Sequence, residues 1–242
     1  MYVTQAMTSP QITIFAGRFG SGKTEIALNY AVALHRRGFD PYLIDLDIVT
    51  PYFRTRDRAA EMASVGVQVT SPFLAGHQLH LPAINPQIQG AIEQETRPVV
   101  IDLGGDEQGA RALAMYAPRV RSRGYTMHLV VNPYRPFMDT ISGIERAIQQ
   151  IAASAQLPVT GLVSNPNLMS QSSPELFERG HCLVEQASQQ LGLRIAFAVT
   201  SRTMAEQLDR ERLGVDLLVI HRYFPMFDPP ETRNDGDDAG LS

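Results

Sequence analysis

The stretch Ile12-Thr-Ile-Phe-Ala-Gly-Arg-Phe-Gly-Ser-Gly-Lys-Thr-Glu25 decides the fold. It matches the pattern G-x-x-x-x-G-K-[ST] and lies between an apolar run, predicted to be a strand, and a helical pattern. Glycines let backbone N–H groups curve around phosphate oxygens, and the helix N-terminus adds partial positive charge. We predict a phosphate-binding loop made of Gly17, Arg18, Phe19, Gly20, Ser21, Gly22, Lys23, Thr24 and Glu25. The alternative is a glycine-rich turn that binds no ligand.

The two residues that end the pattern carry the chemistry. Lys23 is expected to bridge the terminal phosphates of a nucleotide, and the Thr24 hydroxyl is expected to ligate Mg²⁺.

Short apolar runs alternate with helical patterns along the chain, which predicts an α/β fold. We expect a doubly wound, mostly parallel sheet with helices on both faces, a Rossmann-like arrangement of three layers. The predicted strands are Ile12–Ala16, Tyr42–Asp45, Val67–Thr70, Val99–Asp102, Met127–Val131, Val159–Val163, Arg194–Val199 and Asp216–Ile220. After the first helix, the predicted helices are Arg54–Ser64, Pro86–Glu95, Gly109–Arg119, Phe137–Ala153 and Pro174–Leu191.

The composition limits the domain organisation and the class of partner. A chain of 242 residues with 44% hydrophobic content can bury a full core. We predict one nucleotide-binding domain at 1–227 and a disordered acidic tail at 228–242. The net charge of −4 argues against a general nucleic-acid binder. An anionic membrane surface would repel the acidic tail.

The cysteine content and the hydropathy limit the cofactors and the cellular location that we expect. The single cysteine, Cys182, excludes an intrachain disulfide, and two copies of the chain offer too few thiols for an iron–sulfur cluster. No apolar stretch approaches the roughly 20 residues of a membrane span, and residues 1–10 are too short and polar for a signal peptide. A cytoplasmic location is the expectation.

An acidic residue at the end of another buried strand should partner the phosphate loop, because Mg²⁺ prefers oxygen ligands. The stretch Arg97-Pro-Val-Val-Ile-Asp-Leu-Gly-Gly-Asp106 supplies Asp102. Gly104 and Gly105 follow in an Asp-x-x-Gly arrangement, in which the backbone N–H of Gly105 can contact a γ-phosphate and sense its loss. The alternative for Asp102 is a carboxylate that caps a helix.

A second acidic segment, Leu43-Ile-Asp-Leu-Asp-Ile-Val-Thr-Pro-Tyr-Phe-Arg54, lies where a first switch would sit. Asp45 and Asp47 alternate on an extended chain, so their side chains should point to opposite sides and do different work. One could hold Mg²⁺ through water while the other orients the attacking water, and we favour Asp47 for the water. The alternative is that both are solvated turn residues.

Together the phosphate loop, the Asp45-Leu-Asp47 pair and Asp102-Leu-Gly-Gly105 resemble the MinD/ParA-like branch of the SIMIBI P-loop ATPases, the CobQ/CobB/MinD/ParA nucleotide-binding family. The resemblance covers residues 12–199. It implies Mg²⁺ and ATP as cofactors, slow ATP hydrolysis, a homodimer formed through the nucleotide face, and a protein client that the sequence does not identify.

The resemblance also raises a question about the dimer. The family places a signature lysine directly after the first loop glycine, where it reaches the phosphates of the partner subunit. This sequence has Arg18 there, which could make the same contact as an arginine finger. Phe19 replaces a residue that is normally glycine and could block a close approach, and the alternative is a solvated loop arginine.

The residues after a late predicted strand bear on which nucleotide base is bound. Guanine recognition in related GTPases uses [NT]-K-x-D, and no such tetrapeptide occurs in this sequence. At the matching place stands Gly161-Leu-Val-Ser-Asn-Pro-Asn-Leu168, and the resemblance implies that Asn165 supplies an amide to adenine. The alternative is a turn asparagine before proline. Asn132 and Arg135, after another strand, could contact a substrate, the partner subunit or a neighbouring loop.

Two other functions remain open. A metabolic enzyme on the same scaffold, such as an ATP-dependent amide-forming ligase or a small-molecule kinase, would need a second polar pocket, for which the candidates are Tyr52, Phe53, Arg54, Asn132 and Arg135. A binding module without turnover is disfavoured, because the acidic residues that hydrolysis requires are present.

Overall fold

The structure, a computed structural model, describes residues 12–47, 54–71, 85–105 and 107–224. Eight strands in these ranges form one sheet: β1 (Ile12–Ala16), β2 (Tyr42–Leu46), β3 (Gln68–Thr70), β4 (Val99–Leu103), β5 (Tyr125–Val131), β6 (Gly161–Ser164), β7 (Ile195–Ser201) and β8 (Leu217–Ile220). Their spatial order is β3-β2-β4-β1-β5-β6-β7-β8, and every neighbouring pair is parallel. The predicted α/β class is confirmed, and the three-residue β3 and four-residue β8 form the edges.

Nine α-helices in the described ranges connect the strands: α1 (Lys23–Arg36), α2 (Ala59–Ser64), α3 (Pro86–Glu93), α4 (Glu107–Ala114), α5 (Ala117–Arg123), α6 (Ile141–Ala155), α7 (Pro174–Leu191), α8 (Arg202–Ala205) and α9 (Arg210–Leu213). Two 3₁₀ helices, Thr55–Arg58 and Met169–Gln171, complete the secondary structure there. None of these helices is both long and apolar enough to cross a membrane.

Four helix predictions differ from the structure, and the smallest difference is that the predicted helix Pro86–Glu95 ends at Glu93. The predicted helix Gly109–Arg119 is two helices, α4 and α5, because Pro118 near the start of α5 cannot donate the hydrogen bond that a continuous helix requires. The predicted helix Arg54–Ser64 begins as a 3₁₀ helix. Helix α6 begins at Ile141 rather than Phe137, because the Thr140 side chain caps it by accepting from the Gly143 N–H.

The two faces of β1 supply the two main layers of the core. Ile14 packs with the buried side chains of α3 to α7, whereas the next residue, Phe15, packs with those of α1. All five residues of β1 are buried, as expected for a central strand of a parallel sheet covered on both faces. The predicted domain end at residue 227 and the tail 228–242 lie outside the described residues.

The half-buried ring of His128, on β5, packs against two aromatic side chains. Its centroid is 6.0 Å from that of Phe15 and 6.3 Å from that of Phe197. Burial lowers the pKa of His128 from 6.5 to about 4, because the imidazolium would lose its hydration. Between these values the unfolded chain binds a proton that the folded protein does not bind.

We therefore predict that lowering the pH from 7 to 5 removes about 2 kcal/mol of unfolding free energy through His128. Because the folded-state pKa is depressed, this contribution is complete above pH 6.5 and is lost as the pH falls toward 4. Urea denaturation of wild type and His128→Leu at both pH values measures it. The variant should lose about 2 kcal/mol less than wild type, and equal losses would contradict the prediction.

Candidate functional site

The phosphate loop joins β1, at the centre of the sheet, to α1. Gly17, Gly20 and Gly22 have φ angles of 155°, 74° and 92°, which side chains rarely tolerate. Gly22 is the N-cap of α1, and no side chain caps this helix, whereas side chains cap the N-termini of α3, α6 and α7. The first-turn N–H groups of a helix have no acceptor within the helix, so the start of α1 fits a bound anion.

Neighbouring loops hold the phosphate loop in place. The Asn165 side chain donates to the Ser21 carbonyl at 2.7 Å, and the Arg135 Nε donates to the Gly20 carbonyl at 3.0 Å. A Cβ atom on Gly105 would lie 2.9 Å from the Gly17 carbonyl oxygen, so the turn after β4 packs directly on the loop backbone. The loop is therefore braced by the ends of β4, β5 and β6.

Two predicted ligand-binding residues are engaged elsewhere. Asn165, expected to contact adenine, is 3% exposed and gives its amide group to the loop carbonyl of Ser21. The carboxylate of Glu25 accepts hydrogen bonds from the backbone N–H groups of Tyr223 and Phe224. Both side chains therefore hold neighbouring backbone segments in place, and their contacts with a nucleotide stay predictions.

Asp102 is the centre of the site. Its side chain is fully buried at the end of β4, and its Oδ2 accepts from the hydroxyls of Thr24 and Thr55, each at 2.8 Å. The other oxygen, Oδ1, is buried with no hydrogen-bond partner among the described residues. Burial raises the pKa of Asp102, and the charge of Lys23 opposes this shift.

The sequence prediction missed Thr55. It is completely buried at the start of the 3₁₀ helix Thr55–Arg58, and no motif marks it. The only signal was its position shortly after the second acidic segment, where a first switch was expected.

Asp45 lies beside Asp102 in the sheet, because the two residues are register partners on β2 and β4. Its Oδ1 accepts from the Asp47 N–H at 2.9 Å, and its Oδ2 accepts from the backbone N–H of Arg56 at 3.0 Å and pairs with the guanidinium at 3.3 Å. Burial, and then the charge of Asp102, raise the pKa of Asp45 to about 7. Asp47 is 5% exposed and follows the strand end.

The donor set suits Mg²⁺ better than a metal that needs many protein ligands. Within the described ranges, no group of three or more His, Cys, Asp or Glu side chains could hold a metal ion. Magnesium keeps several waters and takes one or two protein ligands plus phosphate oxygens. The Thr24 hydroxyl and the unpartnered Oδ1 of Asp102 match that demand.

The Arg18 side chain contacts residues of its own chain. Its guanidinium donates to the side chain of Gln150 on α6 at 3.2 Å and lies 5.4 Å from the ring centroid of Phe137. Phe19 and Phe137 are 75% and 65% exposed, and of these two rings it is Phe137 that contacts Arg18.

The polar residues after β5 contact neighbouring loops. Asn132 is buried, donates to the Asn167 carbonyl at 2.9 Å and accepts from the Tyr134 N–H at 3.1 Å. Arg135 binds the Gly20 carbonyl. Of the three roles considered for Asn132 and Arg135, the structure shows the contact with a neighbouring loop.

No family model matches the chain, and no curated protein matches it. Solved structures do. Cell division protein FtsY from Thermotoga maritima is 18% identical with a TM-score of 0.56, and the match covers 79% of this chain and 62% of that one. Signal recognition particle receptor FtsY from Elizabethkingia anophelis, in complex with GDP, is 16% identical with a TM-score of 0.53 and coverage of 81% and 59%.

A third structure is the signal recognition particle 54 kDa protein from Aeropyrum pernix K1 in complex with GDP. It is 19% identical with a TM-score of 0.51, and the match covers 82% of this chain and 43% of that one. The chain thus matches between 43% and 62% of the length of these three proteins. The chain therefore shares the fold of these three proteins. These similarities do not show the MinD/ParA-like branch that the sequence resembles.

The braced loop predicts a large effect for Gly22→Ala. Gly22 and Gly38 flank α1 with similar φ angles of 92° and 88°, but only at Gly22 would a Cβ meet a neighbour, the amide nitrogen of Asn165. We expect Gly22→Ala to lose about 2 kcal/mol more unfolding free energy than Gly38→Ala, because the buried amide must move and give up its hydrogen bond. Urea denaturation of the two variants measures both losses. Equal losses would contradict the conclusion that the Asn165 amide holds the phosphate loop in place.

Proposed function

We propose that the chain is a Mg²⁺-dependent nucleoside triphosphatase that acts as a nucleotide-controlled switch for a protein partner. The observation that carries the proposal is the convergence of Thr24 and Thr55 on one oxygen of Asp102. Thr24 belongs to the phosphate loop, whereas Thr55 belongs to the segment after the second strand. A ligand at Asp102 would therefore act on both elements at once.

Each residue of the site has a role in this proposal. Lys23 and the loop N–H groups hold the phosphates, while Thr24 and Asp102 hold Mg²⁺, with Asp45 acting through water. When bound, Mg²⁺ neutralises the charge that develops on the phosphate oxygens. Asp47 orients the attacking water, and the Gly105 N–H contacts the γ-phosphate.

We propose ATP as the nucleotide, with GTP as the alternative. The support for ATP is the missing [NT]-K-x-D tetrapeptide, since Lys23 is the single lysine of the sequence. The amide of Asn165 no longer adds support, because it binds Ser21. Two of the similar structures contain GDP, which is the reason to test guanine nucleotides in parallel.

We propose a homodimer through the nucleotide face, with the MinD/ParA-like arrangement as its form. Arg18 would have to leave Gln150 to reach the phosphates of a partner subunit. The Phe19 ring is exposed, so it is available for contact with the partner. The metabolic-enzyme alternative loses support, because Asn132 and Arg135 are used by neighbouring loops. Its other candidates Tyr52 and Phe53 lie outside the described residues, so their part in it stays a prediction.

The single lysine gives a direct test of nucleotide binding. An amine-acylating reagent modifies only Lys23 and the α-amino group of the chain, and peptide mass spectrometry separates the two. We expect Mg-ATP to slow acylation of Lys23 by about tenfold or more, with the α-amino group as internal control and AMP as the control ligand. Half-protecting concentrations of ATP and GTP then rank the bases. Equal acylation with and without either triphosphate would overturn the proposal.

Dimerisation is tested by light scattering after size exclusion with Mg-ATP, with Mg-ADP and without nucleotide. We expect a dimer with Mg-ATP alone, and we expect Asp47→Ala to make it persist because hydrolysis stops. Arg18→Ala, with Gln150→Ala as the matched control that frees the guanidinium, should abolish the dimer if Arg18 acts on the partner's phosphates. The same mass in all three conditions would exclude the nucleotide-dependent dimer.

A further inference from the structure

The segment that follows β8 is tied to the first turns of the phosphate-loop helix. We call His221–Phe224 the strap. Both carboxylate oxygens of Glu25 are used on it: Oε2 accepts from the Tyr223 N–H at 3.0 Å and Oε1 accepts from the Phe224 N–H at 2.8 Å. Glu25 directly follows Thr24, which binds Asp102.

One turn further along α1, Asn29 makes a second connection. Its side chain, 6% exposed, donates to the His221 carbonyl and accepts from the His221 N–H, both at 2.7 Å. The same amide group donates to the Glu25 carbonyl at 2.8 Å. The Asn29 side chain therefore makes the pair of backbone hydrogen bonds with His221 that a neighbouring strand would otherwise make. These bonds fix the position of the strap along α1.

The strap also touches the other element that converges on Asp102. The guanidinium of Arg58 lies 4.6 Å from the ring centroid of Phe224. Arg58 ends the 3₁₀ helix that begins with Thr55, whose hydroxyl binds Asp102. The strap thus connects the start of α1 and this 3₁₀ helix.

We propose that the strap is part of the nucleotide switch: docking of the strap on Glu25 and binding of a Mg²⁺-nucleotide at Thr24 strengthen each other, with Glu25 as a positioning residue. This inference rests on the proposed function. A docked strap fixes α1 relative to the 3₁₀ helix, so the hydroxyls of Thr24 and Thr55 are held in place before a ligand arrives. Pre-organisation of this kind lowers the cost of binding, and the coupling is reciprocal.

Glu25→Gln separates positioning from charge. Glutamine has nearly the same shape, but it offers one acceptor oxygen where the strap presents two N–H donors. Removing a negative charge beside the phosphates should by itself strengthen the binding of an anionic nucleotide. Positioning predicts the opposite sign, and we expect the affinity to fall about fivefold or more.

A second variant and a control complete the set. Asn29→Leu removes the hydrogen bonds to His221 and to the Glu25 carbonyl but leaves the Glu25 carboxylate in place, and it should weaken binding in the same direction. Ser173→Ala removes the side-chain cap of α7, far from the strap in sequence, and controls for a general loss of stability. It should leave the affinity unchanged.

Hydrogen exchange measures the coupling directly. We compare the protein with Mg-ADP and with Mg²⁺ plus the β,γ-imido analogue of ATP. The analogue of GTP is used instead if GTP protects Lys23 better. In wild type, the nucleotide should slow exchange of the Tyr223 and Phe224 amides together with residues 17–24. Slowed exchange at 17–24 with an unchanged strap, or unchanged or tighter binding by both strap variants, overturns the inference and leaves the proposed function intact. No protection at 17–24 overturns both.

Discussion

The structure of the site depends on one buried carboxylate. Asp102 is fully buried, and a charge in that position is tolerated only when hydrogen bonds or a counter-charge compensate for its lost hydration. Two hydroxyls and the charge of Lys23 supply part of this compensation. The elements that carry Thr24 and Thr55 are therefore drawn toward β4, and their relative position is set by the demand of a single oxygen.

The register of the parallel sheet adds electrostatic repulsion between carboxylates to this site. Register on β2 and β4 places Asp45 next to Asp102, and the charge of Asp102 disfavours ionisation of Asp45. Arg56 offsets the charge of Asp45. Under the proposed function, a divalent cation held at Asp102 would remove the remaining repulsion. The repulsion would then lie where binding of a Mg²⁺-nucleotide relieves it, which is the property that a switch requires.

Much of the fold was predictable because its signals are local. The loop glycines, the apolar run of β1 and the ends of most strands can be found in the sequence, since periodicity and turn residues report backbone conformation directly. Thr55 could not be found in this way, because its partner lies 47 residues away and a threonine has no distinctive pattern. Asn165 and Glu25 were placed in the right region, but their partners are backbone groups of distant segments, which no spacing reveals.

The lengths of the edge strands also affect how copies of the chain can meet. An exposed edge offers unpaired N–H and C=O groups to any other extended chain, and a long edge favours fibre growth. Here β3 has three residues and β8 has four, so pairing at either edge of the described sheet would form only a few backbone hydrogen bonds. The sheet therefore resists extension from one molecule to the next. Stable association is left to surfaces that present side chains, where sequence rather than backbone selects the partner.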